Sequence, residues 1–185
     1  VAAGFGGGAL TFTAVQGTIY YFAIDVWYNE GGLVVLNFVA VPPLPNDAFA
    51  NAIALTGLTN SLLGNNLTAT REVGEPKHDP SGAADRSMWW SWTAPSNGPV
   101  TIENVGGSFG PLVVTYLGNS VSNLFLLARN LDEFGFNFMP NVFFGLAGTT
   151  YHIAVAGYPY GEFMFNLHQQ PSDSNDRFSD RIAFS

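Results

Sequence analysis

The run Asn46-Asp47-Ala48-Phe49 returns as Asn175-Asp176-Arg177-Phe178, 129 positions later (175 − 46). Each copy follows a proline-containing linker, Val41-Pro42-Pro43-Leu44-Pro45 in the first case and Gln170-Pro171-Ser172-Asp173-Ser174 in the second. A second match lies upstream. Gly17-Thr18-Ile19-Tyr20-Tyr21-Phe22-Ala23-Ile24 aligns with Gly148-Thr149-Thr150-Tyr151-His152-Ile153-Ala154-Val155 at a spacing of 131 (148 − 17), and Asn37-Phe38 aligns with Asn166-Leu167 at 129 (166 − 37). The two-residue difference falls in the turn after Asp25, where hairpin lengths vary easily. Self-similarity at a fixed period marks a repeat architecture, here with a period of about 130 residues. The chain reads as the C-terminal part of one module (1–41), one complete module (45–168) and the start of a following module (172–185). Two or three strands with an apolar face are not stable alone, so the first and last pieces need completion, whether by adjoining sequence, by a neighbouring copy of the chain or by the central module.

The segments themselves read as strands. Thr18–Asp25 is rich in β-branched and aromatic residues, with Tyr20, Phe22 and Ile24 on one face. After the turn Asn29-Glu30-Gly31-Gly32, Leu33–Ala40 forms a second strand, which Pro42, Pro43 and Pro45 end as a stiff connector. Ala48–Ile53 reads as one short helical turn with Asn46 or Asp47 as its N-cap. Further strands are expected over Leu62–Thr70, Ser87–Thr93, Val100–Val105, Leu112–Leu117, Asn123–Arg129, Phe136–Phe144, Thr150–Ala156 and Glu162–Leu167. No stretch holds a helical period over three turns. Regular short strands between turn signals predict an all-β sandwich or barrel.

Composition narrows the function. Charged residues make up only 11% of the chain and Phe outnumbers Lys plus Arg by 16 to 6, so Asn, Ser, Thr and Gly must build much of the surface. The net charge of −8 speaks against a nucleic-acid partner, which needs a basic footprint, and against an anionic membrane surface. It favours divalent cations. With no cysteine there are neither disulfides nor thiolate metal sites. No apolar run approaches the roughly 18 residues of a membrane span.

Four stretches, taken together and in order, resemble bacterial pre-peptidase C-terminal (PPC-like) domains of the tandem type found in secreted and surface proteins. They are Asn46 to Ala52, Gly74-Glu75-Pro76-Lys77-His78, Arg86-Ser87-Met88-Trp89-Trp90-Ser91-Trp92-Thr93-Ala94-Pro95, and Ala147 to Val155. The resemblance implies a jelly-roll-like antiparallel β-sandwich outside the cell or at its surface, repeated in series and not itself catalytic. Some members of the family bind calcium through an Asn-Asp pair and acidic residues near the module start, and some bind polysaccharide or protein polymers.

The residues offer two constellations. The first is acidic: Asn46, Asp47, Glu72, Glu75, Asp79 and Asp85 would supply several of the six to eight oxygen ligands that calcium takes, if the module start folds over the loop 71–86. Alternatively Asn46 and Asp47 cap a turn, and the loop carboxylates pair with Arg71, Lys77 and Arg86. His78 with Glu75 and Asp79 would make only a thin zinc site, since zinc gathers three or four N or S ligands. His152 and His168 read as ordinary sheet residues. The second constellation is aromatic. On the strand Ser87–Thr93, Met88, Trp90 and Trp92 share one face and read as core, with Trp89 opposite. Trp27, Tyr28, Tyr158 and Tyr160 fall at equivalent turns of the two copies. With Trp89, they are candidates for a module contact or for stacking on a ligand.

Signatures of an enzyme are absent: no Gly-x-Ser-x-Gly elbow, no His-Glu-x-x-His, no phosphate loop, no dinucleotide fingerprint. Asp132-Glu133 would need a cleft to act as a glycosidase pair. Asn66-Leu67-Thr68 matches a glycosylation sequon. The expectation is a structural repeat of an extracellular protein that binds copies of itself or adjacent modules head to tail. A filament then follows if that contact does not close on itself, with strand addition as its chemistry. The alternative is a polysaccharide- or protein-binding accessory module of a secreted hydrolase.

Overall fold

A computed structural model of the chain describes residues 12, 14–15, 17–24, 33–38, 44–79, 82, 86–131, 139–157 and 160–172. The chain forms two compact units, Val1–Val39 and Ala40–Ser185. The described part of the second unit is all-β. Its nine strands are β1 (Ile53–Leu55), β2 (Thr59–Asn65), β3 (Ser87–Thr93), β4 (Gly98–Gly107), β5 (Leu112–Leu117), β6 (Phe125–Arg129), β7 (Asn141–Gly145), β8 (Thr150–Ala156) and β9 (Glu162–Gln169). They make two sheets, a five-stranded one in the order β1-β3-β8-β5-β6 and a four-stranded one in the order β2-β9-β4-β7. All pairs are antiparallel except β1 with β3.

The two sheets face each other across one core. Met88, Trp90 and Trp92 from β3 and Tyr151, Ile153 and Val155 from β8 meet Val100 and Ile102 from β4 and Phe163, Phe165 and Leu167 from β9. Trp90 packs edge-on against both Phe163 (6.0 Å between ring centres) and Phe165 (5.3 Å). The strand pattern tells the two sheets apart. In β9 and β7 buried and exposed residues alternate strictly or nearly so, as one solvated face requires. In β3, β5 and β8 consecutive residues are buried, because the five-stranded sheet is covered on both faces. Its outer face carries a second cluster of Trp89, Leu112, Val114, Tyr116, Ala154 and Ala156, capped by Phe49, Ala52, Val121, Leu124 and Leu131.

Several boundaries differ from the sequence reading. The stretch Ala48–Ile53 is a short 3-10 turn, Phe49–Asn51, which runs straight into β1. Neither Asn46 nor Asp47 caps it: Ala48 holds the N-cap position without a side-chain bond, and the first turn is capped from a distance by Glu72. Strand β2 begins and ends earlier than Leu62–Thr70, since the turn at Asn66 closes it. Strand β7 begins later than Phe136.

The first unit carries one well-defined corner. Gly17 is in the left-handed region at φ 79°, and Thr18 N–H donates to the Val15 carbonyl at 3.1 Å. Val15 N–H donates to the Tyr20 hydroxyl at 2.8 Å, and the Phe12 and Tyr20 rings lie 5.1 Å apart. The turn between β7 and β8 in the second unit has the same construction. Gly148 has φ 78°, Thr149 N–H donates to the Leu146 carbonyl at 3.0 Å, Leu146 N–H donates to the Tyr151 hydroxyl at 2.9 Å, and Phe143 and Tyr151 lie 4.9 Å apart. All four relationships repeat at a spacing of 131 (151 − 20). Glycine is required at each corner because only it enters the left-handed region without a Cβ penalty. The strands expected over Thr18–Asp25 and Leu33–Ala40 differ from this picture: their described residues, 18–24 and 33–38, carry no strand pairing.

Candidate functional site

The segment that leads into β1 is built into the sandwich by its own side chains and by Glu72. Asn46 is fully buried. Its Nδ2 donates to the Trp89 carbonyl at 2.9 Å, while Trp89 N–H donates to the Asn46 carbonyl at 2.8 Å. Asn46 thus acts as a one-residue strand beside β3, and it sets the path along which β1 then pairs in parallel with Trp90 to Trp92. Asp47 uses both carboxylate oxygens on Thr70, accepting from its N–H at 2.6 Å and from its hydroxyl at 2.7 Å. One oxygen of Glu72 accepts from the Phe49 N–H at 2.6 Å.

Behind this joint lies a buried polar network. Glu75 and His78 are both nearly inaccessible. One Glu75 oxygen accepts from the Ser87 hydroxyl in a very short contact and meets His78 Nε2 at 2.7 Å; the other accepts from the Glu72 N–H at 2.7 Å. A carboxylate only accepts, so Nε2 carries the proton. The other ring nitrogen, Nδ1, is 2.8 Å from the Tyr116 hydroxyl. Burial foremost, and then the charge of Glu75, push the Tyr116 phenol well above its ordinary value, with Arg129 pulling the other way. The His78 ring also packs on Trp89 at 5.5 Å. The network ties the loop 71–79 to β3 and β5, and the chemistry it performs is that of a latch: every strong acceptor in it is met by a protein donor.

These positions bear on the cation reading. Asn46, Asp47, Glu72 and Glu75 do come together, but each described carboxylate points at its own protein donor and not at a common centre. Among the described residues no group of three or more His, Asp and Glu side chains is set to hold a metal. Asp79 is half-buried, and Asp85 lies outside the described residues. The thin zinc arrangement is at odds with the geometry, since both ring nitrogens of His78 are engaged by Glu75 and Tyr116. The expected ion pairs of the loop also change partner. Arg71 donates to the Glu75 backbone carbonyl at 2.9 Å. Arg86 donates to the Leu67 carbonyl at 2.9 Å and lies 4.1 Å above the Tyr160 ring. Glu75 instead meets His78, within the same loop, at 2.7 Å.

The aromatic reading needs one correction. Trp89 is 0% exposed, with Phe49 edge-on at 5.2 Å and Tyr116 at 6.0 Å. It is a core residue of the second cluster and no contact surface, because the module start folds over it. Tyr160 is half-buried beneath Arg86. Trp27, Tyr28 and Tyr158 lie outside the described residues. Met88, Trp90 and Trp92 are core, as the alternation along β3 predicts.

His152 pairs within β8 and packs on the Phe49 ring at 4.5 Å; burial lowers its pKa, opposed by a hydrogen bond at Gly118. His168 sits in β9 beside the Thr59 hydroxyl at 3.2 Å. Asn66 of the sequon is fully buried. Its side chain donates to the Gly157 carbonyl at 3.3 Å and accepts from the Gly161 N–H at 2.9 Å, so it bridges the β8–β9 loop and is closed to glycosylation. Sequence reasoning missed Ser87, Thr70 and Tyr116. Glu75 and His78 carry a signal in their spacing of three, whereas Tyr116, 38 residues from His78, carries none until the sheet forms.

No protein-family model matches the chain, and no curated protein matches its sequence.

Proposed function

We propose that the chain is a structural, non-catalytic β-sandwich repeat of an extracellular or cell-surface protein, with a period of about 130 residues, and that its modules complete one another head to tail in a fibre or stalk. The observation that carries this reading is the pair of matching corners. Tyr20 and Tyr151 make the same backbone bond, beside the same left-handed glycine and the same aromatic partner, 131 positions apart (151 − 20). One short sequence match arises by chance easily; a match that also repeats its hydrogen bonds is better explained by a repeated structure. The strand orders β2-β9-β4-β7 and β3-β8-β5-β6 interleave early and late strands as the two halves of a jelly roll do, which supports the finer fold and, with it, the resemblance to PPC-like domains. The buried Asn46 clamp supports the serial arrangement, since it fixes how a chain leaving a proline linker enters the next sandwich.

The test is sedimentation velocity and small-angle scattering of the 185-residue chain over a range of concentrations. Elongated species that grow with concentration are expected. A compact, monodisperse monomer at all concentrations overturns the assembly reading. For the alternative, an accessory module that binds polysaccharide or protein, co-sedimentation with insoluble polymer is the discriminating measurement. The burial of Trp89 removes one of the aromatics on which that alternative rests.

A further inference from the structure

The first unit has an apolar face whose partner can be read from the second. The matching corners fix the alignment: Phe12 stands where Phe143 does in β7, Tyr20 where Tyr151 does in β8. Extending it, Tyr20, Phe22 and Ile24 correspond to Tyr151, Ile153 and Val155. Across the two-residue change in the turn, Val34, Leu36 and Phe38 correspond to Phe163, Phe165 and Leu167 of β9. These counterparts are all inward-facing core residues of the sandwich. In the first unit the same positions are exposed: Phe22 is 47% accessible where Ile153 is 0%, and Phe38 is 68% accessible where Leu167 is 0%. The rings among them nevertheless gather on one side: Phe12 contacts both Tyr20 (5.1 Å) and Phe22 (5.9 Å), and Phe22 contacts Phe38 (5.0 Å). A monomeric soluble protein rarely leaves so contiguous an apolar patch uncovered.

The two segments also lack their ladders. In the second unit β8 runs between β3 and β5, and β9 between β2 and β4. Both are central strands whose backbone donors and acceptors are used on both sides. Residues 18–24 and 33–38 have that sequence and no strand pairing.

We infer that residues 12–38 form an interaction surface for one occupant, a second copy of this repeat's β1–β6 strands, which would take residues 18–24 between its β3 and β5 and residues 33–38 between its β2 and β4. The inference rests on the repeat reading given above, and it specifies the slot and the register. In that register Ile19 stands opposite the second copy's Thr93, as Thr150 does in β3–β8, and Tyr20 opposite its Trp92. The chemistry of the fit is specific. The face is aromatic and aliphatic without a charge at its six inward positions, so it suits a dry sandwich interior, and its segments, which carry no strand pairing over 18–24 and 33–38, have room for a ladder on both sides. A lipid surface or an unstructured apolar peptide would cover the first feature without satisfying the second.

The test supplies the occupant. Residues 1–8 are replaced by a second copy of residues 44–139, joined directly before Ala9, so that the spacing between the added copy's β6 and the first unit matches that in the second unit. Amide hydrogen exchange is then followed over 18–24 and 33–38. The expected result is that both segments slow by about 100-fold or more, to the level of 149–155 and 162–167, as global-unfolding protection of core strands predicts. The control extension carries Trp90→Ser and Trp92→Ser in the added copy alone and is expected to leave both segments fast. Unchanged exchange with the unaltered extension overturns the inference, as does equal protection by both extensions. The outcome is separable from the assembly reading. Protection in the extended chain with a monomeric unextended chain would leave this inference standing and remove head-to-tail assembly; filaments without protection would do the reverse.

Discussion

The Glu75 carboxylate and the His78 ring meet at 2.7 Å with both side chains almost wholly out of solvent. Around them, Ser87, Tyr116 and the Glu72 N–H complete the set of partners. Removing one partner of a buried pair leaves the other unsatisfied, which costs more than the pair is worth. Glu75→Ala is therefore expected to lower unfolding stability by about 3 kcal/mol, and Glu75→Gln by about 1–2 kcal/mol, measured by urea denaturation. Equal stability of Glu75→Ala and the parent chain would show that the network is no latch.

Asn46 joins the linker to β3 through one side-chain and one backbone bond. Asn46→Ala keeps the backbone bond and removes the fully buried side-chain donor to the Trp89 carbonyl, a loss of about 1.5 kcal/mol. Asp47→Ala removes two acceptors at a more exposed site, with an expected loss of about 1 kcal/mol. Denaturation midpoints order the two variants; a larger effect at Asp47 than at Asn46 would contradict the joint as described.

Burial holds the His152 pKa below the ordinary 6.5. As pH falls, the unfolded chain takes up this proton first, so the contribution of neutral His152 is full above 6.5 and is lost as pH drops from there toward the depressed folded value. His152→Gln is expected to flatten the fall in melting temperature between about pH 7 and pH 5. An acid slope of the same size in the variant would assign the effect elsewhere.

At the β7–β8 corner, Tyr151→Phe removes the acceptor of the Leu146 N–H and is expected to cost about 1 kcal/mol. Gly148→Ala meets open space but holds alanine in the left-handed region, at about 1–2 kcal/mol. The same changes at Tyr20 and Gly17 are expected to leave the unfolding transition of the sandwich in place, which differential scanning calorimetry will show.

Millimolar calcium is expected to leave the melting temperature unchanged, because Asp47 and Glu75 have both oxygens engaged and Glu72 has one engaged by protein donors. A rise of several degrees would restore the cation reading for this joint.

Much of the sandwich is legible in the sequence because strands announce themselves locally. Ser87–Thr93, Leu112–Leu117 and Thr150–Ala156 coincide with β3, β5 and β8, since β-branched and aromatic runs bounded by Gly and Pro need no distant information. The alternation along β3 placed Met88, Trp90 and Trp92 inward for the same reason. Trp89 is the contrary case. Its position on the other face was legible, but the sheet's second cover, formed by Phe49 and the loop 71–79, is a tertiary event. The cap of the Phe49 turn failed for a like cause: the nearby Asn46 and Asp47 were drawn to Trp89 and Thr70, and Glu72 came from 23 residues away to replace them.

The all-β class and the residues that alternate into the core are legible in the chain alone, because side-chain period and turn chemistry are properties of neighbours along the backbone. The partners of Asp47, Glu72 and Glu75 are set by the tertiary fold. Which carboxylate meets which donor depends on how two sheets and a covering segment converge, and that convergence turned a string of candidate ligands into the latch that holds the module's first residues against its central strand.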